Sequence, residues 1–304
     1  MIDWKYMPFQ LKINQQKNKE NSQSFSKIEK FKSILDKVKF AARNVIYVKN
    51  WSDSIQQSLD KKIYLSKHVL NPRDLDINLS GFSIKIVNDT HPLIHKVKEL
   101  RQKSFFKNSG EKESDSDEFD KFCDHLVVID KSISKDFVVG TYRLLLKPKF
   151  LKTQKFYSQS EFNIKNLLDI KNLTLLEAGR SCVHENYRDG RIIKLLWRGL
   201  ATYITNNQVD LIFGCASFPS SNYKLFVKQL SYLYHYHRTP DYLWTEPVEK
   251  LKANFNVLKK TSLNVNESFR QLPPLIKAYI RVGAWIGPGA IIDKKFDTTD
   301  VLIV

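Results

Sequence analysis

Leu173 to Phe218 reads LTLLEAGRSCVHENYRDGRIIKLLWRGLATYITNNQVDLIFGCASF, and the spacing of its apolar residues decides the fold. An apolar strand runs to about Val183, an Arg/Gly turn follows, and then an amphipathic helix leads through Asn206 and Asn207 into a second apolar strand. In the helix Ile193, Leu196, Leu200 and Tyr203 share one face, with Trp197 alongside, so this is a core-facing stripe and not a cofactor box. A strand, a helix and a strand in that order form a βαβ unit. The turn that opens its helix exposes unpaired backbone N–H groups and the positive end of the helix dipole, which suit a phosphate. Tyr187, Arg188, Asp189 and Gly190 occupy that junction. Neither GxGxxG nor GxxxxGK[ST] is present, so neither a Rossmann nor a P-loop reading has support.

Within the first strand, alternation places Leu175, Glu177, Gly179 and Ser181 on one face and Leu176, Ala178, Arg180 and Cys182 on the other. Charged residues in an apolar strand are costly unless they are paired or face a cleft, which marks Glu177 and Arg180 as site candidates. A bulge at Gly179 would bring both to the same side.

Outward from this unit, FSIKIVND after Gly81 alternates as a strand, and HPLIHKVKELRQKSFFK places Leu93, Val97, Leu100 and Phe105 at helical intervals. An acidic run, EKESDSDEFD (Glu111 to Asp120), precedes two strands, HLVVID and FVVGTYRLLL, which predict a hairpin. The stretch KPKFLKTQKFYSQSEFNIKNLL that follows is irregular and basic. Residues 1–80 carry 15 Lys/Arg against 8 Asp/Glu and show one modest helical pattern, from about Ile28 to Val48. They read as a basic, partly flexible extension, and residues 81–304 as the main domain. The apolar stripe of that helix would dock on the body or lie on a membrane surface.

A chain of 304 residues with 42% hydrophobic residues has enough apolar surface for one large or two small globular domains. Its three cysteines, Cys123, Cys182 and Cys215, form no CxxC pair and no Cys/His cluster, so buried reduced thiols and no structural zinc are expected. No apolar run reaches the roughly 18 residues of a membrane span, and the N-terminus lacks a signal-peptide core. The expected location is cytoplasmic. A net charge of +17 calls for an anionic partner: nucleic acid, anionic lipid or an acidic carrier protein. Lys and Arg are spread along the chain without a zinc finger, RNP-type motif or Arg-rich arm, which argues against nucleic acid.

E-x-G-R-x-x-V, YRDG, the LLWRGLA helix and IFGCAS together resemble the acyltransferase core of bacterial ornithine N-acyltransferases, members of the GNAT superfamily. CDHLVV (Cys123 to Val128), GTYRLLL (Gly140 to Leu146) and LPPLIKAYIRVGAWIGPGAIIDKKFDTTDV (Leu272 to Val301) resemble the same family, in the same order. The resemblance runs from about Phe82 to the C-terminus. It implies a GNAT-like α/β fold with a mixed central sheet flanked by helices. Acyl-homoserine-lactone synthases share the fold, and their pattern R-x-x-x-F, D-x-x-D, G-x-x-R-L and E-x-x-R is matched by Arg101 and Phe105, Asp117 and Asp120, Gly140 and Arg143, and Glu177 and Arg180. A tryptophan expected between the first two motifs is absent. In the usual phosphate turn, the glycine positions counted from Arg188 hold Arg191 and Ile193, with Gly190 standing inside the turn.

The resemblance implies that the α-amine of L-ornithine attacks a 3-hydroxyacyl thioester carried on acyl carrier protein, forming lyso-ornithine lipid without a metal or a permanently bound cofactor. On that reading Glu177 is the general base and Arg180 its neighbour in the catalytic centre, while Tyr223 protonates the departing thiolate. Backbone N–H groups near Ser181 to Val183 hold the oxyanion. Arg101, Phe105, Asp117, Asp120, Asp124 and Arg143 bind the amino acid, the aspartates its ammonium groups and Arg143 its carboxylate. Val183, Arg188, Gly190 and Arg191 bind the phosphopantetheine, and the degenerate turn suits its single phosphodiester better than the pyrophosphate of coenzyme A. His184 reads as a surface residue, His125 as core, and Ser217 lacks a nucleophile-elbow setting. The basic surface suits acidic carrier protein and the anionic inner membrane face. Two alternatives are an acyl-CoA-dependent GNAT acting on another amine, and a basic membrane-binding protein with an inactive acyltransferase core.

Overall fold

The computed structural model describes residues 75–106, 115–151 and 153–304. The expected Ile28–Val48 helix lies outside them. Among the described residues there are ten strands: β1 (Asp76–Asn78), β2 (Phe82–Val87), β3 (Asp124–Asp130), β4 (Val138–Lys147), β5 (Phe162–Asn163), β6 (Leu175–Val183), β7 (Leu211–Phe218), β8 (Glu246–Pro247), β9 (Ile291–Asp293) and β10 (Thr298–Ile303). The helices are α1 (Ile94–Phe105), α2 (Lys165–Leu168), α3 (Arg191–Asn206), α4 (Val227–His237), α5 (Val265–Arg270) and α6 (Pro274–Arg281).

Eight strands form one sheet in the order β1-β2-β3-β4-β6-β7-β10-β9, and β5 pairs with β8 separately. Every neighbouring pair in the large sheet is antiparallel except β6 and β7, which run parallel, as the connecting helix α3 requires. The hairpin expected from HLVVID and FVVGTYRLLL is β3–β4. The sheet begins at Asp76, five residues ahead of the expected boundary at Gly81.

β2, β3 and β4 carry apolar residues on both faces, and each face is covered by a helix. Helix α1 sets Val97 and Leu100 against Val127 and Ile129 on one side, and α3 sets Ile192, Leu196, Leu200 and Tyr203 against Ile84, Leu126 and Leu144 on the other. The α3 stripe is thus centred on Ile192 instead of Ile193. A third cluster joins Ala216 and Phe218 of β7 and Val301 and Ile303 of β10 to α4 and α6. The mixed sheet flanked by helices is the architecture the resemblance implied. Among the described residues no helix is long and apolar enough to cross a membrane.

Strands β6 and β7 pair only over Leu175↔Leu211, Leu176↔Ile212 and Glu177↔Phe213. Beyond that point β6 stays with β4 as far as Val183, and β7 stays with β10 as far as Phe218, so the sheet opens between them. Gly214 sits at the fork. A Cβ there would lie 2.1 Å from the Ala178 carbonyl oxygen, so only glycine lets the two backbones approach that closely.

Candidate active site

The open fork holds a cavity of about 310 Å³. Ala178 to Ser181 line it from β6, Cys215 to Ser217 from β7, Tyr142 and Arg143 from β4, and Thr298 and Asp300 from β10. A bulge shapes its wall. The β4–β6 register passes from Thr141↔Cys182 to Arg143↔Gly179, leaving Arg180 and Ser181 together opposite Tyr142. Arg180 carries the strained backbone, with φ 49°, one residue later than expected. For a residue with a Cβ that conformation costs roughly 1–2 kcal/mol, which neighbouring interactions must offset. The consequence is as anticipated: Glu177 and Arg180 both line the cavity.

Three arginines and three aspartates interlock beside it. Arg101, fully buried, donates to Asp115 at 2.7 Å and to both oxygens of Asp120 at 2.7 and 3.3 Å. Arg143 donates to both oxygens of Asp117 at 2.7 Å and reaches Asp120 at 3.3 Å. Arg180 approaches Asp117 at 3.3 Å and Asp115 at 3.4 Å. The Asp120 carboxyl is held far below the usual range: burial opposes ionisation, but the Arg101 hydrogen bond and the charges of Arg101 and Arg143 outweigh it. Asp117 and Asp120, assigned on sequence to the substrate ammonium, are therefore neutralised by protein cations, and Arg143 is engaged by them. This network ties the acidic segment to β4 and β6. Arg180 is also flanked by the rings of Phe296 and Tyr157, 4.6 and 4.8 Å from its guanidinium.

The other sequence candidates separate cleanly. Phe105 lines the cavity. Glu177 pairs with neither Arg180 nor Arg143; its two oxygens accept from the backbone N–H groups of Tyr157 at 2.9 Å and Ser158 at 2.7 Å. Asp124 is not brought to the site, because strand alternation turns it to the α3 face, where it accepts from the Tyr203 hydroxyl at 2.7 Å. Tyr223 is also outside the cavity wall and donates to the Asn254 carbonyl at 2.9 Å. His125 is buried, and burial pushes its imidazole down to about 4, so it is neutral. His184 accepts from the Asn186 N–H at 3.3 Å and caps a turn. Cys123 and Cys182 are buried and Cys215 half-buried, all three free.

Four residues that sequence reasoning passed over also line the cavity and carry groups that can exchange a proton. The hydroxyls of Tyr142 and Tyr279 lie 2.8 Å apart, and Tyr279 stacks on Trp197. Glu161 and Asp300 also face the cavity, both almost fully buried. Asp300 had a readable signal, a carboxylate inside the apolar strand TTDVLI, by the rule that singled out Glu177. Glu161 had none, since it lies in the stretch read as irregular.

At the turn before α3, Gly190 adopts φ 90° and occupies the N-cap position, a conformation natural to glycine. Asp189 accepts from the Arg191 backbone N–H at 2.9 Å and from its Nε at 2.6 Å, so a carboxylate already sits where a phosphate would bind. Arg188 donates to the Val183 carbonyl at 3.2 Å and remains exposed.

Residues 100–198 match the acetyltransferase (GNAT) domain family. An L-ornithine N(alpha)-acyltransferase of Brucella abortus (strain 2308) is 35% identical over 238 residues, 74% of this chain and 84% of that protein. The chain belongs to the L-ornithine N(alpha)-acyltransferase family. A second member, from Rhizobium meliloti (strain 1021), is 40% identical over 200 residues, 64% of this chain and 68% of its own. Among solved structures, the AHL synthase LasI aligns with a TM-score of 0.39 at 12% identity, over 73% of this chain and 88% of that one. As a member of the L-ornithine N(alpha)-acyltransferase family with a GNAT domain, the protein is an acyltransferase.

Proposed function

We propose that this acyltransferase moves a 3-hydroxyacyl chain from the phosphopantetheine arm of acyl carrier protein to the α-amine of L-ornithine, releasing lyso-ornithine lipid. The fork between β6 and β7 carries the reading. Strands that part over a cavity present backbone groups no neighbouring strand uses, and an extended phosphopantetheine arm can complete the ladder there.

The thioester carbonyl would lie at the bulge, with N–H groups of the Ser181 to Val183 segment receiving the oxyanion. The uncharged α-amine attacks the carbonyl carbon, a C–N bond forms, and the C–S bond breaks as the tetrahedral intermediate collapses. The amine proton passes to a wall carboxylate, and Glu177 is held for that task by its two backbone N–H donors, with lone pairs left over for the amine or an intervening water. The leaving thiolate takes a proton from the Tyr142–Tyr279 hydroxyl pair, which replaces the distant Tyr223 in this role. Burial raises both phenols above their ordinary range, so both are protonated at neutral pH. Arg188 and Arg191 receive the phosphodiester once Asp189 is displaced. The basic surface and the net charge of +17 favour encounter with an acidic carrier protein and contact with anionic lipid at the cytoplasmic membrane face.

A donor comparison tests this. With ornithine fixed, matched 3-hydroxyacyl carrier protein and 3-hydroxyacyl-CoA are offered separately. A kcat/KM at least about tenfold higher is expected for the carrier-bound donor, through a lower KM. Equal use of both would favour an acyl-CoA-dependent enzyme.

A further inference from the structure

Glu161, Asp293 and Asp300 approach one another from three places: the segment after the Tyr157–Ser160 turn, the end of β9, and the middle of β10. One carboxylate oxygen of each lies within 4.8 Å of the others. Glu161 is 4% and Asp300 6% exposed, and both face the cavity. Glu161 Oε2 and Asp300 Oδ1 have no hydrogen-bond partner. Asp293 is further out and spends one oxygen on the N–H groups of Lys295 and Phe296.

Two buried, partly unsatisfied carboxylates this close are unfavourable in an empty site. Burial, with the Asp300 charge beside it, pushes Glu161 up to about 7; burial, with the Asp293 charge beside it, pushes Asp300 up to about 6. The Arg180 charge acts on Asp300, but this guanidinium is already shared with Asp115 and Asp117. A positive charge arriving between the carboxylates relieves both penalties and fills the unused lone pairs. An alkyl ammonium has three N–H donors and suits the two open oxygens.

We propose that Glu161 and Asp300, with Asp293 behind them, bind the side-chain ammonium of the acceptor amino acid, so that its second positive charge is what selects it. This rests on the reading that the chain acylates the α-amine of ornithine, and it adds the contact that rejects amino acids with apolar side chains. The acceptor would lie with its side chain toward β10 and its α-amine toward the bulge of β6.

Ornithine is compared with norvaline, which has the same carbon chain without the terminal amine, as acceptor for the full-length wild type and for Glu161→Gln and Asp300→Asn. Wild type should prefer ornithine by at least about 100-fold in kcat/KM. Each variant should lower the ornithine value about 30-fold or more, mainly through KM, and leave norvaline within about threefold, so that discrimination collapses. An equal fall for both acceptors, or intact discrimination, would overturn the assignment. Calorimetric binding of the two amino acids to the same proteins reads the site even if no product forms. Ornithine binding by wild type, its loss in Glu161→Gln and its retention in Glu161→Asp support the proposal, with thermal melts confirming that each variant is folded. Ornithine binding abolished by EDTA and restored by Mg²⁺, Ca²⁺ or Mn²⁺ would make the trio a metal site and overturn it.

Discussion

The Arg101 guanidinium lies 2.7 Å from Asp120 Oδ1 with none of its side chain exposed. A lone cation at that depth would be prohibitive; this one is held by Asp115 and Asp120, which are in turn shared with Arg180 and Arg143. Removing one partner strands the others. Arg101→Met is expected to lower stability by about 3–5 kcal/mol in denaturant unfolding, and Arg101→Met combined with Asp120→Asn to recover part of that loss. Additive losses would show that the pair does not couple.

Glu161 and Asp300 give activity and stability opposite dependences on pH. Glu161 faces Asp300, Asp293, Cys215 and Tyr157; Asp300 faces Glu161, Asp293, Thr298, Ser217 and Arg180. Ammonium binding needs both carboxylates ionised, so kcat/KM for ornithine should rise through an acid limb between about 6 and 7, a property of the coupled pair. Asp300→Asn removes the like charge and should move the limb to lower pH. Both groups have folded values above their unfolded ones, so ionising them costs stability. Their contribution to stability grows as pH falls from about 7 toward 5. Asp300→Asn is therefore expected to raise the melting temperature at pH 8 by roughly 2–6 °C while impairing turnover.

Glu177→Gln exchanges one acceptor oxygen for an N–H₂ group facing the N–H of Tyr157 or Ser158. A buried donor left unpaired costs about 1–3 kcal/mol, and loss of the proton acceptor should lower kcat by roughly 10²–10⁴-fold with little change in ornithine KM. A kcat unchanged at every pH would remove Glu177 from the chemistry and leave it the anchor of the Tyr157–Ser160 turn.

At the opening turn of α3, the proposed donor site makes affinity depend on charge. Arg188→Ala and Arg191→Ala are each expected to raise KM for the acyl carrier protein about 5–20-fold, less at high salt, with kcat preserved. Asp189→Asn should lower that KM, because the competing carboxylate is gone. Steady-state kinetics at two salt concentrations check both.

Sequence period exposed β2, β3, β4, β6 and β7 and the helices α1 and α3, because their apolar residues recur at fixed intervals; β1, β9 and β10 are short or lie in segments without a clear period. It also exposed Glu177 and Arg180, whose charge breaks an apolar strand. What it could not expose depends on distance. Asp117 and Asp120 read as substrate ligands because the arginines that neutralise them come from α1, β4 and β6. Asp124 falls on the wrong side of β3 by one position of alternation. Glu161 lies in a stretch with no period, and only folding sets it against Asp300, about 140 residues further on. Tyr142 and Tyr279 are likewise joined only by the packing of α6 near the fork.

Transfer from carrier protein to the α-amine is read in one step by incubating the purified protein with 3-hydroxyacyl carrier protein and ornithine labelled at the α-nitrogen, followed by lipid extraction. A labelled, amide-linked 3-hydroxyacyl ornithine that forms only with the carrier protein present is the expected product. No labelled lipid, or acylation at the side-chain nitrogen, would contradict it.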